Sequence, residues 1–95
     1  MMNDIYADYR FLLDRFLKDN MSVEEFQTAY FDRFKNETRN LDEALFKLLD
    51  GLFGDIDAFS TDPQLLAAQP DFYLNEQQLR ERVQQVAKRL SDLST

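Results

Sequence analysis

The sequence predicts an all-α fold, an antiparallel four-helix bundle with a longer loop before the last helix. Apolar residues recur every three to four positions in four separate segments, as is typical of amphipathic helices. None of these segments has the strict alternation of a half-buried strand. The connection between the first two segments is only a few residues long, which favours antiparallel neighbours.

The composition indicates a small globular domain without cysteine or histidine chemistry. Its 95 residues predict one domain, 1–95, and 44% of them are apolar. The lack of Cys excludes disulfides and thiolate sites, and the lack of His removes the commonest general base and metal ligand. We therefore expect no metal and no cofactor. Since neither a signal-peptide pattern nor a membrane-spanning run is present, we expect a cytoplasmic location.

The first helix is predicted to run from Asp4 to Asp19. We expect Asn20 to end it, because Asn tolerates the left-handed conformation found just past many helices. The apolar stripe of this helix follows the spacing i, i+4, i+7, i+11 and consists of Ile5, Tyr9, Leu12 and Phe16.

The second helix has the sharpest start signal in the sequence. Ser22 occupies the N-cap position, and Glu25 lies three residues later, where its side chain can bond back to form a capping box. We expect the helix to continue to about Glu37. Its stripe is aromatic and consists of Phe26, Tyr30 and Phe34.

The third helix is predicted to begin after Asn40 or Asp42, either of which can cap it. Gly51 and Gly54 each weaken this helix by about 1 kcal/mol relative to Ala, so helix propensity does not explain them. Close approach of another backbone is one explanation. The inner stripe consists of Leu45, Leu48 or Leu49, Leu52, Ile56 and Phe59.

Residues 60–74 contain both prolines and no sustained periodicity. Asp62 followed by Pro63 is typical of an N-cap and a first helical position, which predicts a short helical turn inside this loop. The last helix follows, with Asn75 and Gln78 placed to form a second capping box. Its stripe consists of Leu79, Val83, Val86, Leu90 and Leu93.

Nearly all of the net charge lies in residues 41–74. Seven acids and one base fall there, a balance of −6 out of −7 for the whole chain. A solvated surface usually mixes both signs, as the first and last helices do. The segment therefore predicts a localised negative face whose natural partner is positively charged.

Several kinds of chemistry fit the sequence poorly. Asp50 and Asp57 are separated by about 10 Å along a helix, without the cleft that a catalytic carboxylate pair needs. A calcium loop that starts at Asp55 has Phe59 at a ligand position and no closing Glu. The Asp-Ser-Leu motif of phosphopantetheine carriers is missing, and the charge opposes binding to nucleic acid. We therefore expect a binding protein and not an enzyme.

Other interpretations of the third helix stay open at this point. Phe46 and Phe53 alternate with Asp50 and Asp57 along one line, yet aromatic stripes are more often core than interface. The carboxylates are in that case an ordinary solvated face. An acidic adaptor or DNA mimic that binds a basic regulator, or a subunit that oligomerises through its Phe-rich face, would use the same residues.

Several motifs follow one another in a characteristic order, and they are Phe16-Leu-Lys-Asp-Asn-Met-Ser-Val-Glu-Glu-Phe26, Phe31 to Lys35, Leu48-Leu-Asp-Gly-Leu-Phe-Gly-Asp-Ile-Asp-Ala-Phe59, Asp62-Pro63 and Leu74-Asn-Glu-Gln-Gln-Leu-Arg80. In this order they resemble the colicin D immunity-type family of bacterial self-protective proteins. Some members accompany contact-dependent inhibition toxins. The resemblance spans about Tyr9 to Leu90.

The resemblance implies a four-helix immunity protein that binds the basic nuclease domain of a cognate toxin. We expect the chain to be a monomer or weak homodimer. The toxin is typically a tRNA-cleaving one, and acidic side chains cover its active cleft. Neither nucleic acid nor membrane is expected to contact the chain directly. We add Phe53 as an apolar anchor and Tyr73 as an amphipathic side chain that we expect to be exposed. The positions that match the acidic end of the family's third helix, and the acid beyond it, are Asp50, Asp55, Asp57 and Asp62.

Overall fold

The computed structural model describes residues 5–37 and 41–93, which form five helices. Together they confirm the predicted all-α fold. The short α4 forms the turn predicted inside the loop, and the last helix of the sequence prediction is α5. The helices are α1 (Ile5–Leu17), α2 (Val23–Lys35), α3 (Glu43–Asp57), α4 (Pro63–Ala68) and α5 (Glu76–Leu93).

Both predicted capping boxes are present. The backbone N–H of Glu25 donates to Ser22 Oγ at 3.1 Å, and that of Ser22 donates to Glu25 Oε1 at 2.9 Å. This second bond is the main reason that the pKa of Glu25 lies below its usual range. The matching bonds at the start of α5 join Asn75 and Gln78 at 3.0 and 2.8 Å. Each box satisfies two backbone N–H donors that a helix start would otherwise leave unpaired.

Asp42, and not a residue further upstream, is the N-cap of α3. Its Oδ1 accepts the backbone N–H of Leu45 at 2.8 Å, while its Oδ2 accepts the hydroxyl of Tyr6 in α1 at 3.2 Å. The other candidate, Asn40, lies outside the described residues. Asp42 therefore caps one helix and ties it to another.

The expectation that Asn20 adopts the left-handed conformation at the end of α1 is wrong. Asp19 does so, with φ of 62°. The N–H of Asn20 donates to the carbonyl of Arg15 at 2.9 Å, and that of Asp19 donates to the carbonyl of Phe16 at 3.1 Å. This pair of bonds is the Schellman motif, which places the left-handed residue one position before Asn20. A short Asp side chain tolerates that conformation.

Contacts between α1, α2 and α3 show that consecutive helices run antiparallel. Near the turn between α1 and α2, Phe16 stacks on Phe26 with ring centroids 4.3 Å apart. Farther from that turn Tyr9 meets Tyr30 at 6.0 Å. Along α3, the hydroxyl of Tyr30 donates to the carbonyl of Leu49 at 2.7 Å. Gln27 Nε2, earlier in α2, donates to the carbonyl of Ile56, later in α3, at 3.2 Å.

The last helix, α5, closes the bundle against α1 and α3. Arg10 Nη1 donates to the carbonyl of Ala87 and Arg80 Nη1 to the carbonyl of Phe16, both at 3.2 Å. Early residues of α1 therefore face late residues of α5, so these helices are antiparallel as well. Because α5 also packs on α3, the four long helices form a square in which α1 and α3 are diagonal.

The four inner stripes form one hydrophobic core, and on α3 it is Leu49 and not Leu48 that is fully buried. Four residues predicted for the stripes are only half-buried, and they are Ile5, Phe34, Phe59 and Leu93. Burial raises the pKa of the Tyr30 phenol, whose hydroxyl is satisfied by its bond to α3. The core residues are Tyr9, Leu12, Leu13, Phe16, Phe26, Tyr30, Leu45, Leu49, Leu52, Ile56, Leu79, Val83, Val86, Ala87 and Leu90.

Candidate functional site

Asp50 and Asp57 lie on the same exposed face of α3. Seven residues make almost two full turns, so the two carboxylates point the same way, about 10 Å apart along the axis. In the part of the chain that the structure describes, neither side chain forms an ion pair or a hydrogen bond. Lys47, the base between these acids and the start of α3, is paired with Glu43 at 2.9 Å. We call the surface formed by Asp50 and Asp57 the acidic face.

The last turn of α3 carries acids where a helix favours bases. Asp55 and Asp57 lie there, and no basic residue is present in that turn. At the same position α2 has the ordinary arrangement, with Arg33 and Lys35 in its last turn. The negative end of a helix dipole disfavours a nearby carboxylate by about 0.3 to 1 kcal/mol. The acidic end of α3 therefore works slightly against the stability of the fold.

Asp55 differs from the acids of the acidic face because it is turned toward α5. Its side chain is 27% exposed, and its Oδ1 lies 3.7 Å from Arg82 Nη1. Burial raises the pKa of this carboxyl, and the arginine opposes part of that rise. Asp55 thus joins two helices of the bundle, so any external cation has to share it with Arg82.

Phe53 is half-buried between α2 and α3. Its ring lies 4.6 Å from that of Phe31 and 5.6 Å from that of Phe34, measured between centroids. Phe46, about two turns earlier on the same line of α3, is exposed. Most of the Phe53 ring therefore belongs to the packing between helices, as the core interpretation of this stripe anticipated.

Asp62 and Tyr73 lie in the connection between α3 and α5. Asp62 is exposed and caps α4, because its Oδ1 accepts the N–H of Gln64 at 2.9 Å. Tyr73 was expected to be exposed but is half-buried, and its neighbour Phe72 is the exposed ring. The two rings meet edge to face at 4.8 Å. The pattern of the sequence does not distinguish two adjacent aromatics in a loop without periodicity.

A backbone bridge holds this connection against the end of α3. The N–H of Ser60 donates to the carbonyl of Leu74 at 2.9 Å, and that of Leu74 donates to the carbonyl of Ala58 at 3.1 Å. These bonds pair Phe59 with Leu74 in an isolated parallel bridge. The bridge therefore brings the end of the connection, at Leu74, back beside the end of α3.

Gly51 and Gly54 are both exposed on α3, on the side where the acidic face lies. A Cβ atom added to either glycine would meet nothing within 4 Å. The idea that another backbone of the chain approaches them closely is therefore wrong. Nothing inside the described protein requires glycine at these two positions.

Grooves on either side of α1 have a mixed charge, unlike the acidic face. The groove between α1 and α2 is lined by Asp8 and Asp32 but also by Arg15 and Arg33. The groove between α1 and α5 likewise contains both acids and bases. Within residues 5–37 and 41–93, no group of three or more metal-ligating side chains could hold an ion. Neither groove therefore concentrates charge of one sign.

The chain matches a family model described as bacterial self-protective colicin-like immunity over residues 5–90. This protein belongs to that family. No curated protein and no solved structure matches the chain. As a member of the colicin-like immunity family it is an immunity protein that binds a cognate toxin, and such proteins are generally not enzymes. No helix of the described residues is long and apolar enough to cross a bilayer.

Proposed function

We propose that this immunity protein neutralises a toxin nuclease, of the tRNA-cleaving kind, by covering its basic active cleft with the acidic face. One observation carries the proposal. Asp50 and Asp57 are exposed, lie on one side of α3 and form no ion pair within the described residues. They belong to a segment that contains seven acids and one base.

The chemistry of a nuclease cleft supports this kind of target. A cleft that holds phosphates presents Lys and Arg side chains, and these form strong charge-assisted hydrogen bonds with carboxylates. Aspartates on a rigid helix can occupy phosphate positions but offer no bond that the nuclease can cleave. The acids in the last turn of α3 fit the same picture, because a toxin base would relieve the unfavourable contact with the helix dipole.

The six residues predicted for the toxin contact have different roles in this proposal. Asp50 and Asp57 are the main contacts, and Asp62 extends the negative surface beyond the bridge. Asp55 contributes charge while it remains paired with Arg82. Two half-buried rings, Phe53 and Tyr73, contribute through the accessible parts of their surfaces.

Fast association follows from the concentration of charge. Opposite charges on two partners steer their encounter and raise the association rate, and salt screens this effect. We propose that the protein acts as a monomer or weak homodimer in the cytosol, where the RNA substrates of such a toxin are found. Because salt screens these charges, association should slow markedly as ionic strength rises.

Reversal of the two charges tests the proposal in growing cells. A producing cell needs protection whenever it makes its toxin. The proteins encoded beside the gene of this chain are therefore the candidate toxins to screen. Asp50→Lys combined with Asp57→Lys should abolish rescue of growth, with an affinity loss of about 100-fold or more. The fold should survive, because a base in the last turn of α3 is favourable.

A matched control changes the net charge by the same amount, on the far side of the bundle. Asp32 and Glu81 line the two grooves beside α1, which is diagonal to α3. Asp32→Lys with Glu81→Lys should therefore still rescue growth. Equal protection by both double variants would refute the acidic face as the contact. A third outcome is that neither the variants nor the original chain rescues growth, while the original chain captures a DNA-binding regulator. That outcome would favour an acidic adaptor or DNA mimic.

A further inference from the structure

The connection between α3 and α5 exposes apolar side chains that the fold does not use. We call residues 60–73 the apolar loop. Its helix, α4, buries no residue. Leu65 in that helix is 38% exposed, and Phe72 after it is 60% exposed. A six-residue helix has no stability of its own and normally forms because it packs an apolar face.

Hydrogen bonds nevertheless fix both ends of the apolar loop. At its start, the N–H of Asp62 donates to Ser60 Oγ at 3.0 Å, in addition to the cap that Asp62 provides. Near its end the carbonyl of Gln69 accepts the N–H groups of Phe72 and Tyr73 at 3.1 and 3.0 Å. The Phe59–Leu74 bridge closes it. Its exposed surface is thus organised before any partner arrives, which reduces the entropy lost on binding.

The composition of the loop indicates which kind of partner fits it. Residues 60–73 contain Asp62 and Asp71 but no Lys or Arg, and their other side chains are apolar or uncharged. An apolar surface whose charged residues are both acidic disfavours phosphates and anionic lipid surfaces. It is complementary to a polypeptide surface that has an apolar hollow bordered by basic side chains.

The position of the loop makes it continuous with the acidic face. Asp57 is directly followed by Ala58, whose carbonyl accepts the N–H of Leu74 in the bridge. A cationic protein that covers Asp57 would therefore meet the loop next to it. Charged residues at the edge of an interface mainly set the encounter rate, whereas a desolvated aromatic anchor mainly sets the lifetime of the complex.

We propose that the apolar loop is a second contact surface for the toxin domain, with Phe72 and Leu65 seated in an apolar hollow beside the toxin's basic cleft. The proposal rests on the proposed function, because it takes the toxin as the occupant. It adds a separate role for the apolar loop, which lengthens the lifetime of a complex whose association the acidic face accelerates.

Binding kinetics with the toxin domain obtained from the growth screen test this inference. Phe72→Ser should increase the dissociation rate by about 30-fold, while the association rate stays within about twofold. Leu65→Ser should act in the same direction. Phe11 provides a matched control, because it is 66% exposed on α1, away from α3. Phe11→Ser should leave both rates unchanged.

Hydrogen exchange on the original chain provides a readout that does not depend on a variant folding correctly. Binding of the toxin domain should slow exchange of the backbone amides at residues 65–73. Unchanged exchange there, or equal dissociation rates for Phe72→Ser and Phe11→Ser, would overturn the inference while leaving the acidic face intact. A dimer lost in Phe72→Ser with normal toxin kinetics would assign the surface to a second copy. Absence of any binding by the original chain would instead reject the proposed function.

Discussion

Replacement of both glycines of α3 by alanine should stabilise the free protein. Glycine in an exposed helix interior costs about 1 kcal/mol relative to alanine, so Gly51→Ala with Gly54→Ala should gain about 2 kcal/mol. The added methyl groups meet nothing within 4 Å, so no clash subtracts from this gain. For a chain of this size the melting temperature should rise by about 8 to 16 °C. Urea unfolding followed by circular dichroism measures the free energy directly.

The slope of the unfolding free energy against urea should stay the same, since neither substitution changes the buried surface. Gln84→Ala on α5 is the matched control. Gln84 is exposed and is already a good helix former, so this variant should gain only a few tenths of a kcal/mol at most. Unchanged or lower stability of the double alanine variant would refute the reasoning, because it would mean that these positions are not open in the free protein.

Two further substitutions test how the helices are held together. Arg80→Met keeps an unbranched apolar stem but removes the guanidinium. The variant loses the ion pairs with Asp19 at 2.8 Å and Glu76 at 3.1 Å, and the stacking on Phe16 at 4.5 Å. It should cost about 2 kcal/mol in urea unfolding, and a cost below about 0.5 kcal/mol would contradict the role of this residue. Tyr30→Phe removes one buried donor and should cost about 1 kcal/mol by the same measurement, with no change in toxin binding.

Local chemistry made the helix starts predictable from the sequence. Each capping box needs only two residues three positions apart, so the sequence alone reveals it. The two pairs are Ser22 with Glu25 and Asn75 with Gln78. Apolar periodicity likewise identifies the inner stripes, since one face of each helix must be buried. The fold class follows from these two signals together.

Features that depend on distant partners could not be predicted in this way. The choice of Asp42 as a cap depends partly on Tyr6, which lies 36 residues earlier in the chain. Asp55 appears in the sequence as one more acid of a negative segment. In the structure Asp55 is paired with Arg82, unlike Asp50 and Asp57. Periodicity carries no information about such pairs.

The surface of the connection between α3 and α5 was the least predictable part of the candidate site. Residues 60–74 have no period, so the sequence does not determine which side of the backbone faces the core. Tyr73 was selected for its amphipathic ring, but Phe72 is the exposed neighbour. The hydrogen bonds of Gln69 and the bridge at Phe59 set this orientation, and they form only in the folded chain.

Inhibition of tRNA cleavage by the purified toxin domain tests the central claim most directly. If the acidic face covers the basic cleft, inhibition should be stoichiometric and competitive, so more tRNA should require more immunity protein. The Asp50→Lys, Asp57→Lys variant should then fail to inhibit, while the Asp32→Lys, Glu81→Lys control inhibits normally. Inhibition that does not depend on tRNA concentration, or that survives reversal of Asp50 and Asp57, would contradict the account.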